Sequence, residues 1–348
     1  MENQDNHQPS PASIMQIGSG FWTSKLLLAA VKFQLFTKIA EKESMSGQQI
    51  KTMLNLKCTD IHLFDFLDAL TGLGFLNREG FLESAVYSNS INTDAFLVIN
   101  KPAYIGGMLE MFNNRLYQFW GNLEEGLLTG LPQNEIKAGD DNLFDELYKS
   151  PERLLEFINA MGSIQIGNFN AFAQSFDFSK YKTLTDVGGC GAALSTTVAK
   201  HQPHMKCISF DLPVVEPIAK EKIVKTPFSD RVTTASGDFF ADPFPKADVV
   251  VMGNILHDWD EPKKLALLQK AYDALPEGGA FVAIENVIDD DRSKNVFGMM
   301  MSLNMLIETG TGFDYTFSSF NKWTKSVGFK STSIVPLTGP ASAAIAYK

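Results

Sequence analysis

One histidine and two acids have the types and positions that general acid–base chemistry needs. His257 follows a stretch, Asp248–Gly253, that predicts a strand. Glu285 stands near the end of the next predicted strand, Ala280–Asn286, and Asp314 lies in a glycine-containing loop. Histidine is the usual general base near neutral pH, and a carboxylate can orient its ring. A single histidine is more often structural, and either acid could instead be solvated or paired with a lysine, so the pattern indicates a candidate base.

A glycine-rich turn after another predicted strand could bind a nucleotide-containing ligand. Asp186, Gly188 and Gly189 lie where that strand ends and a helix begins. Glycines let the backbone approach a ligand closely, and a helix N-terminus offers free N–H groups to an anion. Asp211 and Leu212 follow the next strand, where an acid can accept hydrogen bonds from ribose hydroxyls. The glycines could serve only a tight turn and Asp211 could cap a helix, so the position of both at strand ends carries the interpretation.

An acid followed by aromatic residues comes after the third predicted strand. Asp238 could accept a hydrogen bond from an adenine amine, and Phe239 could stack on the adenine ring. Phe239 and Phe240 could equally belong to the hydrophobic core. On its own this motif is a weak signal, and it gains meaning only beside the glycine-rich turn.

The elements that must position these residues alternate between strands and helices along the second half of the chain. The alternation is typical of an α/β protein with a Rossmann-like, doubly wound, mostly parallel sheet. Sites in such proteins lie at the carboxyl ends of the strands, which is where the candidate residues fall. The predicted strands are Thr183–Val187, Lys206–Phe210, Val232–Ala235, Asp248–Gly253, Ala280–Asn286 and Ser331–Pro336.

The first hundred residues predict three helices followed by a β-hairpin. Apolar residues at helical spacing predict a helix over Phe21–Ala40, a capping box over Ser46–Gln49 begins a second helix, and Thr59–Leu73 predicts a third. The stretch Phe75–Leu82 predicts a hairpin with its turn around Arg78–Gly80. This order of elements outlines a helical winged-helix domain.

The stretch between these parts is mostly helical and rich in methionine and aromatic residues, among them Trp120, Phe157 and Met161. Such residues at helical spacing usually form a core, and on spacing alone we favour a core here. A pocket for a flat apolar ligand is lined in the same way, so that interpretation stays open. We therefore predict three regions, with the boundaries 1–100, 101–170 and 171–348.

Composition and charge exclude several classes of function. The chain has 348 residues and a formal net charge of −10, a sign that repels a phosphate backbone, so nucleic acid is not an expected partner. Its three cysteines, Cys58, Cys190 and Cys207, are few and odd in number, so they do not form a disulfide framework. This favours a reducing, cytoplasmic setting. The polar segment Met1–Ser13 predicts a frayed tail and not a secretory signal. No stretch predicts a membrane span, and no cluster has metal-ligand spacing.

With these residues in hand, the chain resembles the metal-independent small-molecule O-methyltransferases, which include plant phenolic, hydroxyindole and bacterial polyketide methyltransferases. The resemblance covers nearly the whole chain, and its motifs occur in the family's order. The matching stretches are Phe210–Pro213, Gly237–Phe240, Leu256–Trp259 and Ser302–Leu306. The resemblance implies an enzyme of secondary metabolism that transfers a methyl group from S-adenosyl-L-methionine (SAM) to a hydroxyl group of a small, phenolic or similar substrate. It also implies that the winged-helix domain forms a homodimer and does not bind DNA.

The resemblance further implies a role for each candidate residue. His257 would be the general base, with Glu285 and Asp314 as the flanking acids. The cofactor-binding residues would be Asp186, Gly188, Gly189, Asp211, Leu212, Asp238, Phe239 and Trp259. The substrate-binding residues would be Trp120, Phe157, Met161, Met300, Asn304 and Met305, so the family resemblance favours the pocket over the core.

The glycine-rich turn departs from the family's pattern, because Cys190 and Ala192 stand where the family has glycine. A side chain makes a left-handed backbone costly, so we expect Gly191 to take the strained position.

Two other functions stay open. One is a SAM-binding relative that catalyses a pericyclic, decarboxylation or hydroxylation reaction. The other is a winged-helix regulator that senses a small molecule. The predicted recognition helix, Asp60–Gly74, argues against a regulator, because it carries three acids and no Lys or Arg and would oppose contact with phosphate.

Overall fold

The chain folds as two units, which meet in sequence at Asn114 and Arg115. The computed structural model describes residues 9–101, 103–137, 148 and 150–348. The division into three regions that the sequence predicts is not tested by these two units, so it stays a prediction. The predicted frayed tail, Met1–Ser13, falls largely outside the described residues, and within them the first helix begins at Ala12.

The first unit is mainly helical. Its helices are α1 (Ala12–Gly18), α2 (Gly20–Lys32), α3 (Leu35–Ala40), α4 (Gly47–Met53), α5 (Asp60–Gly72), α6 (Ile91–Phe96) and α7 (Gly106–Met111). The single helix predicted over Phe21–Ala40 is wrong, because the chain breaks between α2 and α3 where Gln34 has a φ of 54°. The predicted capping box is confirmed, since Ser46 Oγ accepts from the Gln49 N–H and Gln49 Oε1 accepts from the Ser46 N–H.

The hairpin of the first unit differs from its prediction. Its strands are β1 (Met45–Ser46), β2 (Leu76–Glu79) and β3 (Val86–Asn89), in the sheet order β1-β3-β2. β2 pairs with β3, so the prediction that the second strand lies at Phe81–Leu82 is wrong. Pairing with β3 buries Tyr87, whose hydroxyl donates to Asp68 at 2.8 Å, whereas the Phe81 side chain in the connecting segment is 73% exposed. We infer that burial of the Tyr87 ring favours β3, and not the segment with Phe81, as the partner of β2.

The chain enters the second unit through a π-helical turn, Phe112–Leu116. The described helices of this unit are α8 (Tyr117–Phe119), α9 (Leu123–Thr129), α10 (Pro151–Ser175), α11 (Ala193–His201), α12 (Glu216–Val224), α13 (Glu261–Ala274), α14 (Val296–Thr309) and α15 (Phe317–Val327). The strands are β4 (Thr183–Val187), β5 (Lys206–Asp211), β6 (Val232–Ser236), β7 (Val249–Gly253), β8 (Ala280–Glu285), β9 (Ser331–Pro336) and β10 (Ser342–Tyr347). No helix in the described part of the chain is long and apolar enough to cross a membrane.

Seven strands form one sheet in the order β6-β5-β4-β7-β8-β10-β9. The strands β4 to β8 pair in parallel, and only β10 runs against its neighbours. This confirms the predicted α/β fold with a doubly wound, mostly parallel sheet. The prediction missed β10, whose sequence is rich in alanine, a residue with little strand preference.

The strand order creates the place where a site can form. The chain continues from β4 outward through β5 and β6, and then returns to add β7 on the other side of β4. Loops that follow β4 and β7 therefore diverge and leave a crevice at the carboxyl ends of the strands. Apolar clusters cover both faces of the sheet, so the strands are held firmly beneath that crevice.

Candidate functional site

The glycine-rich turn joins β4 to α11 and lies against β5. Gly188 has a φ of 71°, and the N–H groups of Gly188 and Gly189 both donate to the Phe210 carbonyl, at 2.9 and 3.3 Å. A Cβ atom on Gly189 would stand 2.3 Å from Ser209 Oγ and 3.0 Å from Asp186 Oδ2. The backbone therefore passes too close to its neighbours for any side chain at Gly189.

The strain in this turn falls on residues other than the predicted one. Cys190 and Ala192 have φ values of 47° and 59°, while Gly191 lies outside the left-handed region, so the expectation for Gly191 is wrong. The Cys190 N–H donates to Asp211 Oδ2 at 2.8 Å, and this charge-assisted bond helps to hold the left-handed geometry. A Cβ atom on Gly191 would meet Lys222 and Ile158 at 2.9 and 3.0 Å, so glycine is needed there for space.

Two carboxylates stand beneath the turn. Asp211 accepts from the backbone N–H of Leu212 at 2.7 Å as well as from Cys190, and burial raises its pKa. Asp186 Oδ2 accepts from Ser195 Oγ at 3.1 Å. Burial raises the pKa of Asp186 to about 7, although the Ser195 hydrogen bond acts in the opposite direction. These acids organise the turn and give the crevice a negative side.

An aromatic group forms another wall of the crevice. The rings of Phe239 and Phe240 contact Trp259 edge-on, with centroid distances of 6.0 and 4.7 Å. Asp238 Oδ1 accepts from the Phe240 N–H at 2.8 Å, which fixes the loop after β6. Lys263 Nζ lies 5.0 Å from the Trp259 ring centroid. A flat, partly polar wall of this kind suits a heteroaromatic ring.

These residues surround one cavity with a volume of about 200 Å³. Every predicted cofactor residue lines it, as do two of the predicted substrate residues. They are Asp186, Gly188, Gly189, Asp211, Leu212, Asp238, Phe239, Trp259, Phe157 and Met161.

Several lining residues were given no role from the sequence, although some of them lie in the stretch around His257. They include Tyr148, Phe169, Leu194, Asn254, Ile255 and Asp258. Asn254 follows β7 with a φ of 54°, and its Oδ1 is buried without a hydrogen-bond partner among the described residues. The signal in the sequence for Asn254 and Asp258 was a polar side chain shortly after the end of a predicted parallel strand.

His257 lies in a short 3₁₀ turn, Leu256–Asp258, and is only 4% exposed. Its Nδ1 atom is 3.4 Å from Asp314 Oδ2, and its Nε2 atom is 3.6 Å from Asp258 Oδ1. Glu285 Oε1 accepts from the backbone N–H groups of Ile255 and His257, both at 3.2 Å. The structure thus places Asp314 beside the ring and Glu285 beneath the backbone of the same turn. The cavity reaches this turn at Asp258.

The acids control the charge of this histidine. Burial acts to lower the pKa of His257, but the negative charges of Asp314 and Asp258 outweigh it and raise the pKa to about 10. Burial raises the pKa of Asp258 to about 7. His257 and the carboxyls of Asp314, Asp258 and Glu285 form one charged cluster, in which the protonation states of His257 and Asp258 depend on each other.

The other predicted substrate residues are divided among different surroundings. Trp120 Nε1 donates to Asn304 Oδ1 at 2.8 Å, which connects α14 to the turn after α8. Met305 is buried and Met300 is exposed on α14. The structure therefore brings Trp120 and Asn304 together, and it brings Phe157 and Met161 to the cavity.

Comparison with known families agrees with this geometry. The model of the O-methyltransferase domain matches residues 120–330, and the model of the O-methyltransferase dimerisation domain matches residues 15–98. The chain is similar to the tetracenomycin polyketide synthesis 8-O-methyl transferase TcmO of Streptomyces glaucescens, with 34% identity over 98% of both chains. It is 30% identical to the 3-hydroxy-5-methyl-1-naphthoate 3-O-methyltransferase of Streptomyces sahachiroi, over 95% of this chain and 93% of that one.

A solved structure is also similar over the full length. Human N-acetylserotonin methyltransferase, crystallised in complex with SAM, superposes with a TM-score of 0.90 and 26% identity. The match covers 100% of this chain and 99% of the human chain. Both domain models, the relatives and the crevice at the carboxyl ends of β4 and β7 lead to the same conclusion. The chain belongs to the S-adenosylmethionine-dependent O-methyltransferase family.

Proposed function

We propose that this enzyme methylates a hydroxyl group of a small aromatic metabolite and that His257 is its general base. The observation that carries the proposal is the buried imidazole beside Asp314, in a turn whose next residue, Asp258, lines the cavity. The relatives support the substrate class, because TcmO is named for a polyketide and the Streptomyces sahachiroi enzyme for a naphthoate.

The residues around the cavity fit the cofactor. Gly189 lets the turn pack closely against Ser209 while it lines the cavity, and the unpartnered Asn254 Oδ1 offers a hydrogen-bond acceptor in the same cavity. We assign the methionine part to Gly188 and Gly189 with Asp186 beneath them. We assign the ribose to Asp211 beside Leu212, and the adenine to Asp238, Phe239 and Trp259. SAM, when bound, supplies a methyl group on a positively charged sulfur.

His257 would accept the proton of the substrate hydroxyl at Nε2. Asp314 lies on the Nδ1 side, so it holds the ring and stabilises the imidazolium that forms. Glu285 fixes the backbone of the turn, which sets the ring's position within the site. Asp258 Oδ1 lies 3.6 Å from Nε2, so the substrate hydroxyl must approach from beside this carboxylate.

The acceptor would lie against the apolar residues near α10 and α14. Phe157 and Met161 line the cavity. We propose that Trp120, Asn304, Met300 and Met305 complete the substrate wall, with the hydrogen bond from Trp120 to Asn304 fixing its shape. Apolar walls with few polar groups exclude water and orient a flat ring.

The decisive test of the base is His257→Ala. We expect transfer of a labelled methyl group to a panel of phenols to fall at least about 100-fold, which is the usual contribution of a general base. Binding of S-adenosylhomocysteine, measured by calorimetry, should stay within error, and the exposed His204→Ala variant is the matched control. Near-normal turnover by His257→Ala would refute the assignment. Substrate that rearranges while labelled SAM stays intact would favour a non-methylating reaction.

We also propose that the enzyme is a homodimer of the cytoplasm. The match of residues 15–98 to a dimerisation domain supports the first part. The three cysteines, all free, with Cys58 exposed, suit a reducing compartment.

A further inference from the structure

Lys264 is a fully buried lysine that the proposed reaction does not use. It lies on α13, and its exposed fraction is 0%. Burying an ammonium group is costly unless nearby groups compensate its charge, so its retention requires a local explanation. Its Nζ atom donates to the carbonyl of Trp259, and it stands 3.4 Å from the centroid of the Phe313 ring.

These two contacts connect Lys264 to both segments that flank the histidine. Trp259 follows the turn that carries His257, and Phe313 immediately precedes Asp314. Asp314 Oδ2 is the carboxylate oxygen 3.4 Å from His257 Nδ1. One ammonium group therefore lies against the two chain segments whose spacing sets the imidazole–carboxylate distance.

The charges around Lys264 are mainly negative. The acidic groups that act on it are Glu285, Asp314, Asp258 and Asp260, of which the first three are also the acids around His257. Burial lowers the pKa of Lys264 to about 8, and the four carboxyls oppose that effect.

The remaining neighbours of the ammonium group are aromatic. Beyond Phe313, the rings of Tyr315 and Trp323 have their centroids 6.0 Å from Nζ, which adds cation–π attraction. Tyr315 is the titratable group among them, and burial raises its pKa well above the usual range, so it stays neutral. The charge balance of this centre is therefore set by the carboxyls, His257 and Lys264.

We propose that Lys264 is a positioning residue of the catalytic centre, which joins the Trp259 and Phe313 segments and balances the carboxylates around His257. The proposal rests on the assignment of His257 as the base. A cation at this point disfavours each step of proton uptake by the cluster. Without it the cluster binds protons more readily, and the pKa of Asp258, which is about 7 beside the still charged Lys264, rises.

Three variants separate the charge from the hydrogen bond. Lys264→Met removes both with little change of volume. Lys264→Gln keeps a donor for the Trp259 carbonyl but removes the charge, and it carries the test if the Met variant does not fold. Lys264→Arg keeps the charge. Lys322→Met removes an exposed lysine from α15 and is the matched control, because its charge is screened by water.

The measurement is the titration of the Asp258 carboxyl, followed by NMR in protein with carbon-labelled aspartates and assigned with Asp258→Asn. We expect the midpoint in the Met and Gln variants to rise by about 1 pH unit, with the Arg and control variants near the native value. Binding of S-adenosylhomocysteine should stay within error.

A native midpoint in folded Met and Gln variants would overturn the proposal. So would loss of folding in both uncharged variants with normal folding of Lys264→Arg, because that would leave Lys264 a structural role alone. The carboxyl titration of Asp258 requires no turnover. A wrong assignment of the base would therefore leave it intact and would appear separately, as methyl transfer that survives in His257→Ala.

Discussion

At the scale of single residues, the neighbouring carboxylates set the proton affinity of His257, the proposed base. Its pKa is raised to about 10, with burial opposing and the charges of Asp314 and Asp258 prevailing. A protonated imidazole cannot accept a proton, so in the proposed role of His257 the active fraction is small at neutral pH and grows as the pH rises through the pKa. In that proposal, Asp314 both orients the ring and keeps it protonated at neutral pH.

We therefore expect kcat/KM to rise with pH from about 7, to reach half of its maximum near pH 10 and to level off above that pH. Asp314→Asn removes a negative charge beside Nδ1, so its rising limb should move to lower pH, even if the maximal rate falls through poorer orientation of the ring. Acceptors with phenol groups of different acidity separate the limb of the enzyme from the ionisation of the substrate. A profile that is flat or falls above pH 7 would contradict a raised His257 pKa.

At the scale of elements, the turn between β4 and α11 shows how close packing fixes a binding loop. Its backbone lies against Ser209 and Asp186, and its left-handed conformations fall at Cys190 and Ala192. The hydrogen bond from the Cys190 N–H to Asp211 compensates part of that strain. The turn is therefore held from β5 as well as from its own strand.

We predict that Gly189→Ala destabilises the protein by about 1–3 kcal/mol and weakens binding of S-adenosylhomocysteine, because its Cβ atom would overlap Ser209 Oγ. Adding Ser209→Ala should recover part of both losses, since it removes the atom in the way. Gly72→Ala, with open space around its Cβ position, is the control for the glycine change itself. Thermal unfolding and calorimetry measure the effects. A Gly189→Ala variant as stable as the native enzyme would show that the turn can move aside.

At the scale of the whole molecule, the first unit carries an apolar surface that suits self-association. Ile17 on α1 and Trp22 on α2 are 81% and 68% exposed, within the range matched by the dimerisation domain. Large apolar side chains exposed in one short segment indicate an interface.

We predict that the double variant Ile17→Asp, Trp22→Asp is a monomer of 38.4 kDa, whereas the native enzyme is a dimer. Light scattering after size-exclusion chromatography measures the mass. Val224→Asp, which places the same charge at an exposed position on α12, should leave the dimer intact. A double variant that stays dimeric would show that the interface lies elsewhere on the chain.

The sequence by itself determined the sheet and most of the residues along its carboxyl edge. Strands such as Val249–Gly253 are apolar runs that end in polar or glycine residues, and this pattern is local, so it can be read without knowing the fold. Because parallel strands end at one edge, the positions of Asp186, Asp211, Asp238 and His257 followed from it.

Only the tertiary structure decided which groups meet. The partner of β2 depended on burying Tyr87, and β10 depended on finding its place between β8 and β9. Lys264 reads in sequence as an ordinary helix lysine, and nothing local shows that it is buried between the Trp259 and Phe313 segments. Contacts of this kind join residues far apart in the chain, and their energies depend on burial and charge that the sequence pattern does not record.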